Sequence, residues 1–430
     1  MSAHFPVIVV GGGQAGLSVS YGLKQRGVSH LVLEKHQVAH SWQAKRWDSF
    51  CLVTPNWQCQ LPGYPYRGGD DSGFMQRNEI VDYVKSYAAS FDAPVQEGVE
   101  VLKLKRQAIA AEFELTTTAG HFTADYVVVA TGGYHTPNIP RIAECLPKTI
   151  QQLHSSEYKN ARSLPPGSVL VVGTGQSGCQ IAEDLHLAGR QVHLSVGSAP
   201  RSPRRYRGKD VVDWLDDMGH YDMPIDEHPR PKAEVRAKTN HYVTGRGGGR
   251  EIDLRHFAQE GMQLHGRLTD IADGQCYFKD DLARNLNQAD AAAARIKNSI
   301  DEFIAQNSIS APAEAPYQPV WYPPEHSGQP LDIEAAGIRT VIWSVGYHLN
   351  YSWVEIPVFD GKGYPSHERG VTPIPGLYFL GLPWLYTWGS GRFSGIARDA
   401  EYLADHIGTR YWRGRLDEQV KAANIANGLG

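Results

Sequence analysis

Hydrophobic residues in this chain gather into short unbroken runs rather than long alternating stretches. PVIVV (6–10) runs straight into GGGQAG (11–16). A segment with apolar residues at helical spacing, through Leu17, Tyr21 and Leu23, follows and stops at Gly27. A second apolar run, HLVLE, ends at Glu34. Unbroken apolar runs suit strands buried on both faces, and helical periodicity behind such a run predicts a strand, glycine turn, helix and parallel strand. Residues 162–197 repeat the plan with SVLVV, GTGQSG, the helical CQIAEDLHLAG closed by Gly189, and QVHLSV. One unit is therefore present twice.

Between the copies lie an aromatic and glycine-rich loop, TPNWQCQLPGYPYRGGDDSG, a predicted helix at NEIVDYVKSYAASF, strands at VEVLKLKR and EFELTTT, and the run YVVVATGGYHTPNIP. From Arg201 to about Pro330 the composition shifts, with RSPRRYRGK, GRGGGR and the helical ADAAAARIKNSI. Strand-like sequence returns at TVIWSVGY and GLYFLGL, before a last helix through ARDAEYLADHI. Such alternation predicts an α/β fold of two Rossmann-like dinucleotide-binding domains, one interrupted by the other. The expected boundaries are 1–155 for the first part of the first domain, 156–330 for the inserted domain, and 331–430 for the closing part.

Length supports two domains, since 430 residues exceed what one core usually holds. A net charge of −4 gives no reason to expect nucleic acid as a partner. No apolar run approaches the roughly 18 residues of a membrane helix, and no cleavable leader is evident, so a cytoplasmic protein is expected. The cysteines, Cys51, Cys59, Cys145, Cys179 and Cys276, form no C-x-x-C pair, which argues against a dithiol redox centre and a zinc site. No His cluster with metal-ligand spacing stands out.

In each copy the first glycine (Gly11, Gly173) permits a tight turn, the second (Gly13, Gly175) admits a pyrophosphate, and the third (Gly16, Gly178) lets helix approach strand. Gln14 and Ala15, and Gln176 and Ser177, open the helices whose N-termini face the anion. The copies differ at the ribose. Glu34, followed by Lys35, can accept two hydroxyl hydrogen bonds, whereas the second strand ends at Ser195 without an acid. Arg201, Arg204 and Arg205 follow instead, and guanidinium groups suit a ribose phosphate. This pairs a cofactor bearing a free 2′-hydroxyl at the first site with NADPH at the second; the alternative for the arginines is a solvated basic loop.

The same motifs carry a resemblance over essentially the whole chain. GGGQAG with Glu34, GTGQSG, and VVVATGGYHTPNIP with its variant echo TVIWSVGY resemble the class B flavoprotein monooxygenases, the group of flavin-containing and Baeyer–Villiger monooxygenases. The resemblance implies FAD at the first cradle, with Trp42, Thr131, Gly132 and Gly381 completing its contacts, and NADPH at the second. The family's identifying motif F-x-G-x-x-x-H-x-x-x-[F/Y/W] matches KTIQQLHSSEYK at His154 and Tyr158, while Lys148 and Ile150 depart from it. Of the family's glycine-glycine-x-tryptophan only Trp42 remains, in AHSW. Asn56 is the nearest match to an asparagine that lies by the flavin in many relatives. His154, Tyr158 and Asn56 are thus the candidate catalytic residues, with a structural histidine and a turn asparagine as the plainer readings.

The implied reaction passes hydride from NADPH to flavin, then one oxygen atom of O2 to a small organic substrate through a C4a-hydroperoxyflavin. Cofactors carry the hard steps, consistent with the absence of an evident acid–base dyad. Substrate and O2 are the expected partners, with neither nucleic acid nor membrane, and a homodimer the assembly to test. An NADPH oxidase or electron-passing reductase is the competing enzyme, and a flavin- and nicotinamide-binding redox sensor the competing non-enzyme. YQPVWYPPEHSG and PWLYTWGSGRFSG are candidate pocket walls.

Overall fold

The computed structural model describes residues 3–107 and 112–426. The run PVIVV ends the strand Ala3–Val10, which pairs in parallel with His30–Glu34 on one side and Gly120–Val129 on the other. Val7 to Val10 are buried, because strands lie on both sides, helices cover the face of Val7 and Val9, and the strands of the meander with the segment 351–358 cover the face of Ile8 and Val10. Val95–Glu97 extends this sheet beyond His30–Glu34, and Leu377–Phe379 adds a further parallel strand against Gly120–Val129. Phe113–Thr117 and Val101–Arg106 continue it as an antiparallel meander. The helix Gln14–Gln25 packs against the long closing helix Ile396–Ala426, and a Cβ on Gly22 would lie 2.7 Å from that of Ala404.

The second copy organises its own sheet of five parallel strands. In spatial order these are Gln151–His154, Ile338–Trp343, Ser168–Val172, Val192–Ser195 and Gln263–His265. All five residues of SVLVV are buried. The helix Gln176–Leu187 follows the glycines, and the alanine-rich stretch lies in the helix Leu282–Gln306.

The sheet corrects the expected division of the chain. TVIWSVGY was assigned to the closing part from residue 331, yet Ile338–Trp343 lies between Gln151–His154 and Ser168–Val172. Likewise Gln151–His154, placed before the boundary at 155, is an edge strand of the second sheet. TVIWSVGY relates to the second glycine strand as YVVVATGG does to the first: each run is the parallel neighbour that the first glycine touches.

Candidate functional site

In both copies the fold itself accounts for the outer glycines. Gly11 has φ +111°, its N–H donates to Leu33 (2.8 Å), and a Cβ there would meet the Ala130 carbonyl oxygen at 2.7 Å. A Cβ on Gly16 would overlap the Gly11 carbonyl oxygen. Gly173 and Gly178 repeat these relations, with φ +102° at Gly173 and the Ser344 carbonyl oxygen at 2.7 Å from its added Cβ. The middle glycines differ. Gly13 has an ordinary φ of −80°, and a Cβ there meets nothing within 4 Å. Gly175, at φ −63°, would meet only Thr239 Cγ2 at 3.9 Å. Neither strain nor protein packing asks for glycine at these two helix N-caps. Open space at an N-terminus rich in free N–H groups is what an approaching diphosphate needs.

Beside the first cradle, Glu34 accepts from Gly12 N–H at one oxygen (2.6 Å) and from His36 N–H at the other (2.9 Å). A carboxylate has about four lone-pair sites, so each oxygen keeps capacity for a ribose hydroxyl. Trp42 is fixed by Nε1 donating to Gln14 Oε1 (3.1 Å) and by stacking on Phe393 (5.5 Å). Gln14 Nε2 in turn donates to Gly391 (3.1 Å), tying the opening turn of the helix to the loop 381–395. Gly381, with φ +82°, brings that loop against Ala15, where an added Cβ would sit 2.7 Å from the alanine's. Thr131 is exposed and within 3.2 Å of His135 Nε2, and Gly132 has φ +73°. These residues converge at the carboxyl ends of the parallel strands of the first sheet. Lys35 instead pairs with Glu100 on the surface (2.7 Å).

Beside the second cradle, the arginine expectation is corrected in part. Arg201 and Arg204 are each 2% exposed. Arg201 pairs with Asp290 (3.0 Å) and Glu251 and lies over the Tyr317 ring; Arg204 pairs with Asp210 through Nε (2.7 Å), donates to Val53 (2.7 Å) and covers Phe74. Arg255, also held by Asp290 (2.9 Å), joins Arg201 in an internal ion network, while Arg204 and Asp210 form a separate pair, because buried cations need carboxylates. Neither is open to a ribose phosphate; Arg205 is exposed. The Ser195 hydroxyl is also taken, donating to Gly266 (3.1 Å) and accepting from Leu268 N–H (2.9 Å). The segment at Thr239 crosses this cradle instead. Gln176 Nε2 donates to the Val243 carbonyl, and Tyr242 N–H donates to Pro200 (2.9 Å) just beyond the strand end. Lys238 on that segment has no ion-pair partner among the described residues; burial, then Arg230 and Arg295, lower its pKa. Ser177 remains in the opening turn of the helix.

The three catalytic candidates are occupied within the protein. Asn56 is buried, with Nδ2 donating to Asp70 (2.9 Å) and Oδ1 accepting from Met75 N–H (2.8 Å), so both ends pin the loop 70–75. His154 is fully buried. Its Nε2–H donates to Gly346 (3.1 Å) and its Nδ1 accepts from Ser156 N–H (3.2 Å); burial lowers its pKa, so the ring is neutral. Tyr158 is fully buried and donates to Asp184 (2.6 Å), burial raising its pKa far above the usual phenol range. These are the contacts that a structural histidine at 154 and a turn asparagine at 56 would make. All five cysteines are free, and burial pushes Cys51 up to about 11 and Cys59 to about 12.

Sequence reasoning passed over two features. Asp184, which also accepts from Ser49 (2.5 Å) and Arg246 (2.6 Å), joins the second glycine helix to a loop of the first domain. Arg392 lies between the cradles and has no carboxylate within 4 Å among the described residues. Its signal was available, as the one basic residue of PWLYTWGSGRFSG.

Residues 8–218 match the family described as pyridine nucleotide-disulphide oxidoreductase. An uncharacterized CzcO-like oxidoreductase of Geobacillus kaustophilus is 34% identical over 405 residues, covering 93% of this chain and 97% of that one. The probable indole-3-pyruvate monooxygenase YUCCA10 of Arabidopsis thaliana is 32% identical over 213 residues, covering 48% of this chain and 54% of that one. A flavin-containing monooxygenase from Stenotrophomonas maltophilia, at 17% identity, superposes with a TM-score of 0.65 over 95% of this chain and 99% of that one, which shows the shared fold. Among the described residues no helix is long and apolar enough to cross a membrane.

Proposed function

The chain belongs to the family of the CzcO-like oxidoreductases, and from that premise we propose that it is an FAD- and NADPH-dependent monooxygenase of a small organic molecule. The observation that carries this reading is the pair of unfilled middle glycines, Gly13 and Gly175, each at the mouth of its own helix. One chain with two such cradles fits a two-cofactor redox enzyme, and the five unpaired cysteines offer no dithiol as the electrons' destination. FAD belongs at the first cradle, where Glu34 keeps lone pairs for a ribose. NADPH belongs at the second, where no acid stands; Lys238 and its neighbour Arg295, with the exposed Arg205, replace Arg201 and Arg204 as partners for the 2′-phosphate. Bound FAD supplies a hydride acceptor and a centre at which dioxygen is reduced. The chain's own contribution is position and water exclusion: Gln14 and Trp42 lock the loop 381–395 against the first cradle, and the segment 238–243 covers the second.

The test is isotopic. FAD-loaded protein given NADPH and 18O2 with sulfide, amine and keto-acid compounds is expected to put one labelled atom into a product. NADPH consumption matched by hydrogen peroxide with every compound would instead establish the oxidase. One observation favours that second reading: Asn56, His154 and Tyr158 are all buried and hydrogen-bonded within the protein.

A further inference from the structure

Arg392 sits on the loop that closes the first cradle, and it reaches the segment that crosses the second. Its predecessor Gly391 accepts from Gln14, and its successor Phe393 stacks on Trp42. Its own Nη2 donates to Asn240 Oδ1 (3.0 Å), next to the Thr239 that lies against Gly175, and its Nη1 donates to the Trp388 carbonyl. The guanidinium lies 4.0 Å over the Trp388 ring, which packs on Tyr221 at 4.7 Å. The charge is half-buried, and burial presses its pKa below the ordinary value, with only the phenols of Tyr134 and Tyr221 to oppose this. Arg201, Arg204 and Arg255, which lie deeper, each have an aspartate; Arg392 has no carboxylate within 4 Å among the described residues. Of its five N–H donors, two are used. An arginine held in place by two hydrogen bonds and a ring, yet left without a counter-ion, is prepared for an anion that comes from outside.

We propose that Arg392 selects the substrate, its unused N–H groups receiving the carboxylate of an organic acid held between the two cradles. This rests on the two-cofactor reading above. A carboxylate is favoured over a cofactor diphosphate for two reasons. Each diphosphate already has a helix N-terminus, and the planar N–H pairs of arginine match a carboxylate while Trp388 and Tyr221 offer apolar faces to the organic body.

Calorimetric titration of the FAD-loaded protein with benzoate and phenylpyruvate, and with their methyl esters, tests the proposal without requiring turnover. The acids are expected to bind at least tenfold more tightly than the esters. Arg392→Met should erase that preference while leaving ester and NADP+ affinity within about threefold, and Arg392→Lys should keep part of it. A structural role alone would weaken acids and esters equally. Three results would overturn the proposal: no acid preference in the parent, a preference that survives in Arg392→Met, or NADP+ weakened as much as the acids, which would make Arg392 a diphosphate partner. Should Arg392→Met fail to fold, Arg392→Gln carries the same comparison. Because binding is measured, an enzyme that proves to be an oxidase would still show the acid preference.

Discussion

At the scale of single residues, the two kinds of glycine predict opposite behaviour. Gly13→Ala introduces no strain and no clash with the protein, so the apoprotein should melt within about 2 °C of the parent, as surface substitutions worth less than about 0.5 kcal/mol do. It should nevertheless lose FAD affinity at least tenfold, about 1.4 kcal/mol, because the methyl group takes the diphosphate's space. FAD content after gel filtration and the melting temperature check both halves. Full FAD occupancy would dissociate Gly13 from cofactor binding. Gly16→Ala, by contrast, should fail to fold, since its Cβ overlaps the Gly11 carbonyl oxygen. Arginines divide similarly. Arg204→Ala strands Asp210 in the interior and should cost roughly 3–5 kcal/mol in urea unfolding, with coenzyme preference unchanged. Lys238→Ala should leave stability alone and weaken NADPH, not NADH, by about 1–3 kcal/mol; equal loss for both coenzymes would remove Lys238 from the phosphate site. The glycines were legible because spacing within one turn determines their geometry. Arg201 was not, because its carboxylates, Asp290 and Glu251, lie far along the chain and nothing local announces them; Arg204 pairs with the nearby Asp210, but its burial against Phe74 and Val53 is set by the fold and not by that spacing.

At the scale of elements, strand and helix identities could be read because buried parallel strands and amphipathic helices leave different periods in the sequence. SVLVV, HLVLE and EFELTTT all became strands where the pattern placed them. What the pattern could not give was partnership. TVIWSVGY is a strand as expected, but its place beside Ser168–Val172 depends on a crossover that local sequence does not encode, and the boundary at 331 failed for that reason. The closing helix holds a further feature invisible to periodicity. Asp399 is 1% exposed, and its two oxygens have no hydrogen-bond partner. Burial raises its pKa to about 6, outweighing the Ser390 hydroxyl and the Arg369 and Arg398 charges. The folded form therefore binds this proton more tightly than the unfolded chain, whose carboxyl titrates near 3.8. Stability at this residue is full below about pH 4, falls as pH rises through about 6, and stays reduced above; two pKa units amount to about 3 kcal/mol. Asp399→Asn should match the parent at pH 4 and exceed its stability at pH 8 by up to that amount. Calorimetric melts from pH 4 to 8 would reject this if the two curves ran parallel.

At the scale of the whole molecule, two cradles are useful only if the domains hold them in register, and the candidate Tyr158 takes part in a contact that does so. Tyr158 matches a position of a motif, and Asn56 is the nearest match, offset by a residue, to the relatives' asparagine; neither match specifies whether a side chain faces a cofactor or a neighbouring element. Tyr158 turns inward to Asp184, and the other oxygen of Asp184 accepts from Ser49 of the first domain and from Arg246. Trp47, two residues before Ser49, is buried in the second domain's core, and Asp48 N–H donates to Lys159 (2.8 Å). The loop 47–49 thus anchors one domain in the other, with Asp184 on the very helix that opens at Gly175. Ser49→Ala removes one hydrogen bond and leaves Arg246 and Tyr158 to satisfy Asp184, so the cost in stability should be about 1 kcal/mol or less. Hydride transfer is far more sensitive to placement than folding is, since a displacement of about 1 Å can cost on the order of a hundredfold in rate. Anaerobic bleaching of the flavin by NADPH should therefore slow by tenfold or more in Ser49→Ala, while the NADP+ dissociation constant stays within about threefold. Stopped-flow reduction and equilibrium titration on the same preparation separate the two quantities. If bleaching keeps the parent rate, the register is held by the burial of Trp47 alone and the hydrogen bond to Asp184 is incidental; if affinity falls in step with rate, Ser49 shapes the second cradle rather than its alignment with the first.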